Sequence, residues 1–220
     1  MRVMEDLPLH KGLRKRLIDT LKARGITSEA VLEAINKVPR HFFFDTALAH
    51  IAYEDRAFPI AARQTISMPY TVALQTQLLD IRKGEKILEI GTGSVYQASV
   101  LAELGARVFT IERQKELYDH QQKSYPLKSV YKNIQFFFGD GFLGLPIYAP
   151  FHKIIITAAA PFVPPKLVQQ LLPGGRMVLP IEKDGVQFIL VIDKAADGSL
   201  TETWVEECSF VPMLGGTSKP

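Results

Sequence analysis

Three loops in the sequence carry groups that suit a nucleoside bearing a carboxylate. The first begins at Gly91 and precedes a helical pattern. A glycine turn at a helix start offers backbone N–H groups to a carboxylate. Glu112 closes the next apolar run, where an acidic side chain can accept both hydroxyl hydrogens of a ribose. Asp140 and Gly141 follow the third run and can cap the edge of an adenine.

The first loop lacks the patterns of diphosphate-binding sites. The dinucleotide pattern G-x-G-x-x-G requires glycine at position 96, where Tyr96 stands, and no Gly-Lys-Ser/Thr sequence of a Walker loop is present. A carboxylate, a ribose and an adenine without a diphosphate describe S-adenosylmethionine better than NAD. The three loops therefore predict S-adenosylmethionine as the cofactor.

No residue pattern indicates a base-activated nucleophile or a metal centre. There is no evident Ser/His/Asp or Cys/His arrangement, and Ser67 is not part of a G-x-S-x-G elbow. The five histidines show no metal-ligand spacing, so we predict no metal site and expect His41 to pack among helices. Cys208 is the single cysteine and is expected to be a small core residue on a late strand.

The loops follow an alternation of strands and helices. Predicted strands are 86–90, 108–111, 134–138, 153–157 and 176–181, with helices at 96–104, 114–125 and 165–172. This alternation implies crossover connections and an α/β fold: a doubly wound, mostly parallel sheet with helices on both faces. Two later strands, 186–192 and 203–211, are expected to be antiparallel.

The first 69 residues predict an N-terminal helical cap. The expected elements are helices over 11–24 and 28–37, an apolar segment over 42–51, an irregular stretch over 53–69 and a helix over 70–79. Ser28 is the expected N-cap of the second helix. We expect a single domain over 1–220, in which 1–69 cover substrate and cofactor and 70–220 form the cofactor-binding α/β core.

Composition is that of an ordinary globular protein. The 220 residues are 47% hydrophobic, and a net charge of +3 is too small to indicate a nucleic-acid partner. The basic residues of helix 11–24, Arg14 among them, are expected on a solvated face. No apolar run approaches the roughly 20 residues that cross a bilayer. One cysteine fits a reducing compartment, so we expect a cytoplasmic location, with no membrane or obligate protein partner.

Several segments of the sequence resemble protein-L-isoaspartate O-methyltransferases. These are Pro39-Arg40-His41-Phe42, Gln64-Thr65-Ile66-Ser67-x-Pro69-Tyr70, Leu88-Glu89-Ile90-Gly91-Thr92-Gly93-Ser94-x-Tyr96-Gln97-Ala98, Gly139-Asp140-Gly141, Ala158-Ala159-Ala160-Pro161, Leu172-Pro173-Gly174-Gly175-Arg176 and Phe210-Val211-Pro212. The glycine loop is common to many methyltransferases, whereas the segment 64–67 is far more particular to this family. The resemblance extends over nearly the whole chain.

The resemblance implies a Rossmann-like methyltransferase that uses S-adenosylmethionine. The implied acceptor is the free carboxylate of L-isoaspartyl residues in damaged proteins and peptides, with repair through a succinimide. Ser67 is the implied active-site residue; from position alone, it could instead cap the helix that begins near Tyr70. The residues expected to bind the cofactor are Thr65, Ile66, Ser67, Glu89, Gly91, Thr92, Gly93, Glu112, Asp140 and Gly141.

Three residues depart from the family pattern. Val95 stands where a third glycine is common, and a β-branched residue there is costly if φ is positive. In that case we expect cofactor affinity to suffer. Arg63 replaces a usual glycine and is expected to be solvated. His152 stands where an acid typically precedes the fourth strand, which puts a cap or surface contact there in doubt.

Two other functions stay open. The chain could methylate another carboxylate or a small molecule with the same cofactor. It could also bind the cofactor without turnover, an alternative that Val95 brings into consideration.

Overall fold

The computed structural model describes residues 5–218 and is built around a central sheet. The helices are α1 (Pro8–Ala23), α2 (Glu29–Lys37), α3 (Pro69–Leu79), α4 (Tyr96–Glu103), α5 (Lys115–Ser124) and α6 (Pro165–Gln170). The strands are β1 (Phe58–Pro59), β2 (Thr65–Ile66), β3 (Lys86–Ile90), β4 (Arg107–Glu112), β5 (Ile134–Phe138), β6 (Phe151–Ile156), β7 (Leu171–Lys183), β8 (Val186–Lys194) and β9 (Leu200–Cys208). Residues 1–4 and 219–220 of the predicted domain lie outside the described residues.

Among the described residues, seven strands form one sheet in the order β5-β4-β3-β6-β7-β8-β9. The first five of these are parallel neighbours, and β8 and β9 are antiparallel. The predicted doubly wound, mostly parallel sheet is therefore confirmed. The chain runs from β3 outward to β5 and then returns to β6 on the other side of β3. This reversal opens a crevice at the carboxyl ends of β3 and β6.

Helices cover both faces of the sheet because its central strands are apolar on both sides. On one face, α1 to α4 pack over a cluster that includes Ile87, Val108 and Ile155. On the other face, α6 packs over Leu88, Ile154 and neighbouring side chains. No helix among residues 5–218 is both long and apolar enough to span a membrane.

The helical cap differs from its prediction in two details. The apolar segment after α2 forms two 3₁₀ turns, Arg40–Phe43 and Thr46–Ile51, rather than one continuous element. The expected solvation of Arg14 is wrong: this side chain is buried, and it donates to both oxygens of Asp6 and to the Tyr53 hydroxyl. Ser28 does cap α2, accepting from the backbone N–H of Val31.

Strand β7 begins at Leu171 rather than at Arg176, so α6 ends at Gln170. Leu171 pairs with Phe151, and a register shift then brings Arg176 opposite Lys153. The strand turns into β8 through Asp184 and Gly185, both with positive φ, the backbone that a two-residue hairpin requires. This Asp-Gly signal was available in the sequence but was not used.

His152 has a structural role at the start of the sheet. Its Nδ1 accepts a hydrogen bond from the backbone N–H of Lys86 at 3.1 Å. The histidine therefore joins β6 to β3 at the end of the sheet opposite the crevice.

Candidate functional site

A cavity opens in the crevice at the carboxyl ends of β3, β4 and β6. It is lined by eight of the residues that the sequence assigns to the cofactor: Thr65, Ile66, Ser67, Gly91, Thr92, Gly93, Glu112 and Gly141. Its volume is about 90 Å³, whereas ligand pockets usually measure about 300–1,000 Å³. A nucleoside therefore requires the segments above the sheet, residues 64–67 or 211–214, to move apart.

The glycine turn after β3 is shaped by close packing. Gly91 has φ +97°, and a Cβ there would lie 2.7 Å from Oγ1 of Thr157. That hydroxyl donates to the carbonyl oxygen of Gly91 at 2.8 Å. Only glycine fits this position, so the backbone of the turn forms part of the cavity wall.

Glu112 joins the ends of β3 and β4. Its Oε2 accepts from the N–H of Gly93 at 2.9 Å, and its Oε1 accepts from the N–H of Gln114 at 2.8 Å. Burial raises the pKa of this carboxyl, and the backbone N–H donors oppose that rise. The acid that the sequence assigns to a ribose thus lines the cavity in a fixed orientation.

The turn uses more of its own N–H groups than the sequence suggested. The N–H of Gly93 binds Glu112, that of Val95 donates to the Thr92 carbonyl, and that of Tyr96 donates to the Ser94 hydroxyl. Fewer donors of this helix start are therefore left for a carboxylate than we expected.

Ser67 is held over the cavity through its backbone. The buried guanidinium of Arg40 donates from Nη2 to the Ser67 carbonyl at 2.7 Å and from Nε to the Ala52 carbonyl at 2.9 Å. The Ser67 hydroxyl makes no hydrogen bond with residues 5–218. The alternative role as a helix cap is wrong, because Met68 is the N-cap residue of α3 and no side chain caps that helix.

Two predicted cofactor residues do not line the cavity. Glu89 is fully buried in β3, where its carboxyl accepts from the Thr110 hydroxyl, and burial raises its pKa to about 8. Asp140 accepts from the N–H groups of Phe142 at 2.9 Å and Gly216 at 2.8 Å. Asp140 therefore holds two chain segments together at the edge of the site, and its contact with an adenine stays a prediction.

A segment near the end of the chain completes the cavity, and sequence reasoning left it unplaced. Residues 211–214 line the cavity opposite the segment 64–67. The N–H of Ala159 donates to the Val211 carbonyl at 2.8 Å, and that of Met213 donates to the Ala159 carbonyl at 2.7 Å. The Phe-Val-Pro similarity at 210–212 was the signal that could have assigned it to the site.

The structure also brings together Asp6, His10 and His41, whose ligand atoms lie within 4.8 Å of one another. These groups already have partners: Arg14 donates to both oxygens of Asp6, and the ring nitrogens of His41 contact the Tyr53 hydroxyl and the Glu5 carbonyl. Burial lowers the pKa of His41 to about 4, so its ring is neutral at pH 7. The expected packing of His41 among helices is confirmed, and the absence of a metal stays a prediction.

The departures at Val95 and Arg63 both have left-handed backbone. Val95 has φ +71° and is buried, so the condition under which we expected a cost is met. Arg63 has φ +55° and is exposed, as predicted. Each replaces a usual glycine while keeping the backbone that glycine would adopt.

The family described as protein-L-isoaspartate(D-aspartate) O-methyltransferase matches residues 12–218. Similar proteins include the protein-L-isoaspartate O-methyltransferases of Christiangramia forsetii, 53% identical over 96% of this chain and 98% of that protein, and of Flavobacterium johnsoniae, 49% identical over the same shares. A solved protein-L-isoaspartate O-methyltransferase is 26% identical with a TM-score of 0.80, over 92% of this chain and 66% of that one. A candidate enzyme of this type from Plasmodium falciparum, solved with S-adenosyl-L-homocysteine, is 24% identical with a TM-score of 0.78, over 91% of this chain and 98% of that one.

Two substitutions at Val95 separate backbone strain from packing. Val95→Ala and Val95→Gly both remove the buried side chain, but only glycine relieves the positive φ. We expect Val95→Gly to be more stable than Val95→Ala by about 1–2 kcal/mol, the reverse of the usual order in helices. Urea unfolding measures the difference, and an alanine variant at least as stable as the glycine variant would contradict the strain.

The buried carboxyl of Glu89 predicts a pH dependence of stability. Its pKa is about 8 in the folded chain against 4.5 as the ordinary value, so the folded state keeps the proton that the unfolded state loses. The stabilisation is complete below about pH 4.5 and is lost as pH rises to about 8. Relative to Glu89→Gln, the wild-type free energy of unfolding should fall by up to about 1.4 kcal/mol per pH unit in that window.

Urea unfolding at pH 5, 6, 7 and 8 tests this slope. Glu116→Gln, which alters an exposed carboxylate on α5, is the matched control and should run parallel to wild type. Parallel curves for Glu89→Gln and wild type would contradict a neutral buried carboxyl.

Proposed function

The chain belongs to the protein-L-isoaspartate(D-aspartate) O-methyltransferase family, and on that premise we propose how its site carries out methyl transfer to isoaspartyl residues. The enzyme transfers a methyl group from S-adenosylmethionine to the free carboxylate of L-isoaspartyl residues in damaged proteins or peptides. The resulting ester starts repair through a succinimide. The proposed partners are therefore isoaspartyl-containing proteins and peptides.

One observation carries the assignment of the site: Glu112, the glycine turn and Ser67 line one cavity. The donor set fits the cofactor, because a carboxylate suits a ribose and a glycine-only turn admits close approach of a ligand. We assign Gly91, Thr92, Gly93 and Glu112 to its binding, together with Thr65, Ile66 and Gly141. When bound, the sulfonium supplies the methyl group and an uncharged thioether leaving group.

The protein has little proton chemistry to perform in this reaction. A carboxylic acid with a pKa near 4 is already ionised at pH 7 and needs no general base. The chain's task is to align the acceptor with the methyl group and to exclude water. The Ser67 hydroxyl, unbonded to other described groups, is placed to donate to an acceptor oxygen, and Arg40 holds the Ser67 backbone in place. Segments 64–67 and 211–214 close the cavity above the sheet.

Transfer of labelled methyl groups to a matched peptide pair, one isoaspartyl and one aspartyl, tests the function. Base-labile label in the isoaspartyl peptide alone is the expected result. Label in a small carboxylic acid but in neither peptide would indicate a different acceptor. Cofactor binding with no transfer at all would support the loss of turnover, which the positive φ of Val95 brings into consideration.

Ser67→Ala tests the orienting hydroxyl. Loss of one hydrogen bond to a charged acceptor group should lower the rate of transfer by about tenfold or more. The affinity for S-adenosylhomocysteine, measured by titration calorimetry, should change far less. Ser199→Ala, in a distant turn, is the control. Equal losses of transfer and cofactor affinity would remove the acceptor-orienting role.

Glu112→Ala tests the ribose carboxylate. Losing hydrogen bonds to a charged group should weaken S-adenosylhomocysteine binding by at least about tenfold. Glu116→Ala removes an exposed carboxylate four positions away and should leave the affinity unchanged. An unaltered affinity in Glu112→Ala would refute the assignment.

We also propose a cytoplasmic location. Its support is the single free cysteine, Cys208, because a chain in a reducing compartment has no need of disulfides. Burial raises the pKa of this thiol to about 12, so it stays protonated and unreactive at neutral pH. Cell fractionation tests the location.

A further inference from the structure

A second cavity lies on the far side of the glycine turn, and the proposed reaction does not use it. It shares Gly93 and Ser94 with the first cavity, so the turn forms a wall between the two. Its volume is about 550 Å³, within the usual range of about 300–1,000 Å³ for small-molecule sites. The helical cap and α5 supply its other walls.

The chemistry of the walls is aromatic and uncharged in the interior. Phe42, Phe43 and Phe44 come from the cap and Tyr125 follows α5. Rings of this kind pack edge-to-face or offset against another ring. The two titratable side chains of the wall, Asp45 and His120, are exposed at the rim. A neutral aromatic molecule therefore fits the interior better than an ion.

One buried polar group in the wall has an unused acceptor. Gln121 is 3% exposed, and its Nε2 donates to the Gly93 carbonyl at 2.6 Å. Its Oε1 accepts no hydrogen bond from any described residue. A buried acceptor without a donor costs about 1–3 kcal/mol, and an N–H or O–H on a ligand would supply that donor.

Gln121 also connects this cavity to the first one. It holds the carbonyl of Gly93, and the N–H of the same glycine donates to Glu112. A donor bound at Oε1 would polarise the Gln121 amide and strengthen its bond to Gly93. The effect reaches the carboxylate assigned to the ribose through two hydrogen bonds.

We propose that the second cavity binds a small neutral aromatic molecule carrying one N–H or O–H donor, and that its occupancy tightens cofactor binding through Gln121, Gly93 and Glu112. The coupling half of this inference rests on the proposed function, whereas the site itself does not. Because binding free energies are reciprocal, the cofactor must tighten the second ligand by the same factor.

Indole, an aromatic ring with one N–H, is the probe. Its binding is followed by ligand-observed NMR, and the dissociation constant of S-adenosylhomocysteine is measured by calorimetry with and without saturating indole. We expect indole to bind and to lower that constant by about fivefold or more. S-adenosylhomocysteine should raise the affinity for indole equally.

Two variants locate the site. Ser124→Trp fills the cavity from the end of α5, where Ser124 is part of the wall, and should abolish indole binding. Lys123→Trp adds the same bulk at an exposed neighbour outside the wall and should leave indole binding intact. Circular dichroism of both variants checks that α5 is retained.

Indole binding that survives Ser124→Trp, or no indole binding at all, would overturn the site. Indole binding with an unchanged constant for S-adenosylhomocysteine would overturn the coupling. Displacement of indole by an isoaspartyl peptide would assign the cavity to the acceptor and overturn a separate ligand. If S-adenosylhomocysteine does not bind at all, the proposed function and the coupling fail together, whereas loss of indole from Ser124→Trp alone still supports the site.

Discussion

A buried cation joins the two parts of this chain that the active site needs. Arg40 belongs to the helical cap, is completely inaccessible to solvent, and donates to the carbonyls of Ala52 and Ser67. Its guanidinium lies 4.7 Å from the ring centre of Tyr96, at the start of α4. Burial lowers the pKa of Arg40 to about 10, so the group stays charged at neutral pH. Because a buried charge tolerates few alternative arrangements, this contact fixes where the cap lies over the glycine turn.

The glycine turn concentrates both ordering and strain. Gly93 is held on its N–H by Glu112 and on its carbonyl by Gln121, so the turn has little freedom to move. Val95 then enters α4 with a backbone that a β-branched residue rarely adopts. Strain of this kind persists only where the surroundings determine the conformation, and it is common at functional sites. The neighbouring hydrogen bonds and the buried position of Val95 provide such surroundings.

Two glutamates at the ends of adjacent strands show that surroundings decide a residue's role. Glu112 meets backbone N–H donors and lines the cavity, so its charge is supported. Glu89 is enclosed in the sheet with a hydroxyl partner, and burial makes it a neutral acid at pH 7. The sequence offered both as cofactor residues because both close apolar strands. Only their environments separate a ligand-facing carboxylate from an internal one.

The sequence by itself determined the α/β class, the strand limits of β3 and β5, and the three loops that meet at the crevice. These features depend on local patterns, because a buried strand and a glycine turn are specified by consecutive residues. Tertiary structure alone decided that Arg40 holds Ser67, that residues 211–214 close the cavity and that Gln121 faces a second one. Each of these contacts joins residues far apart in the chain, and no local period records them. The positive φ of Val95 likewise came from the fold, since packing around the turn overrides the preference of the residue itself.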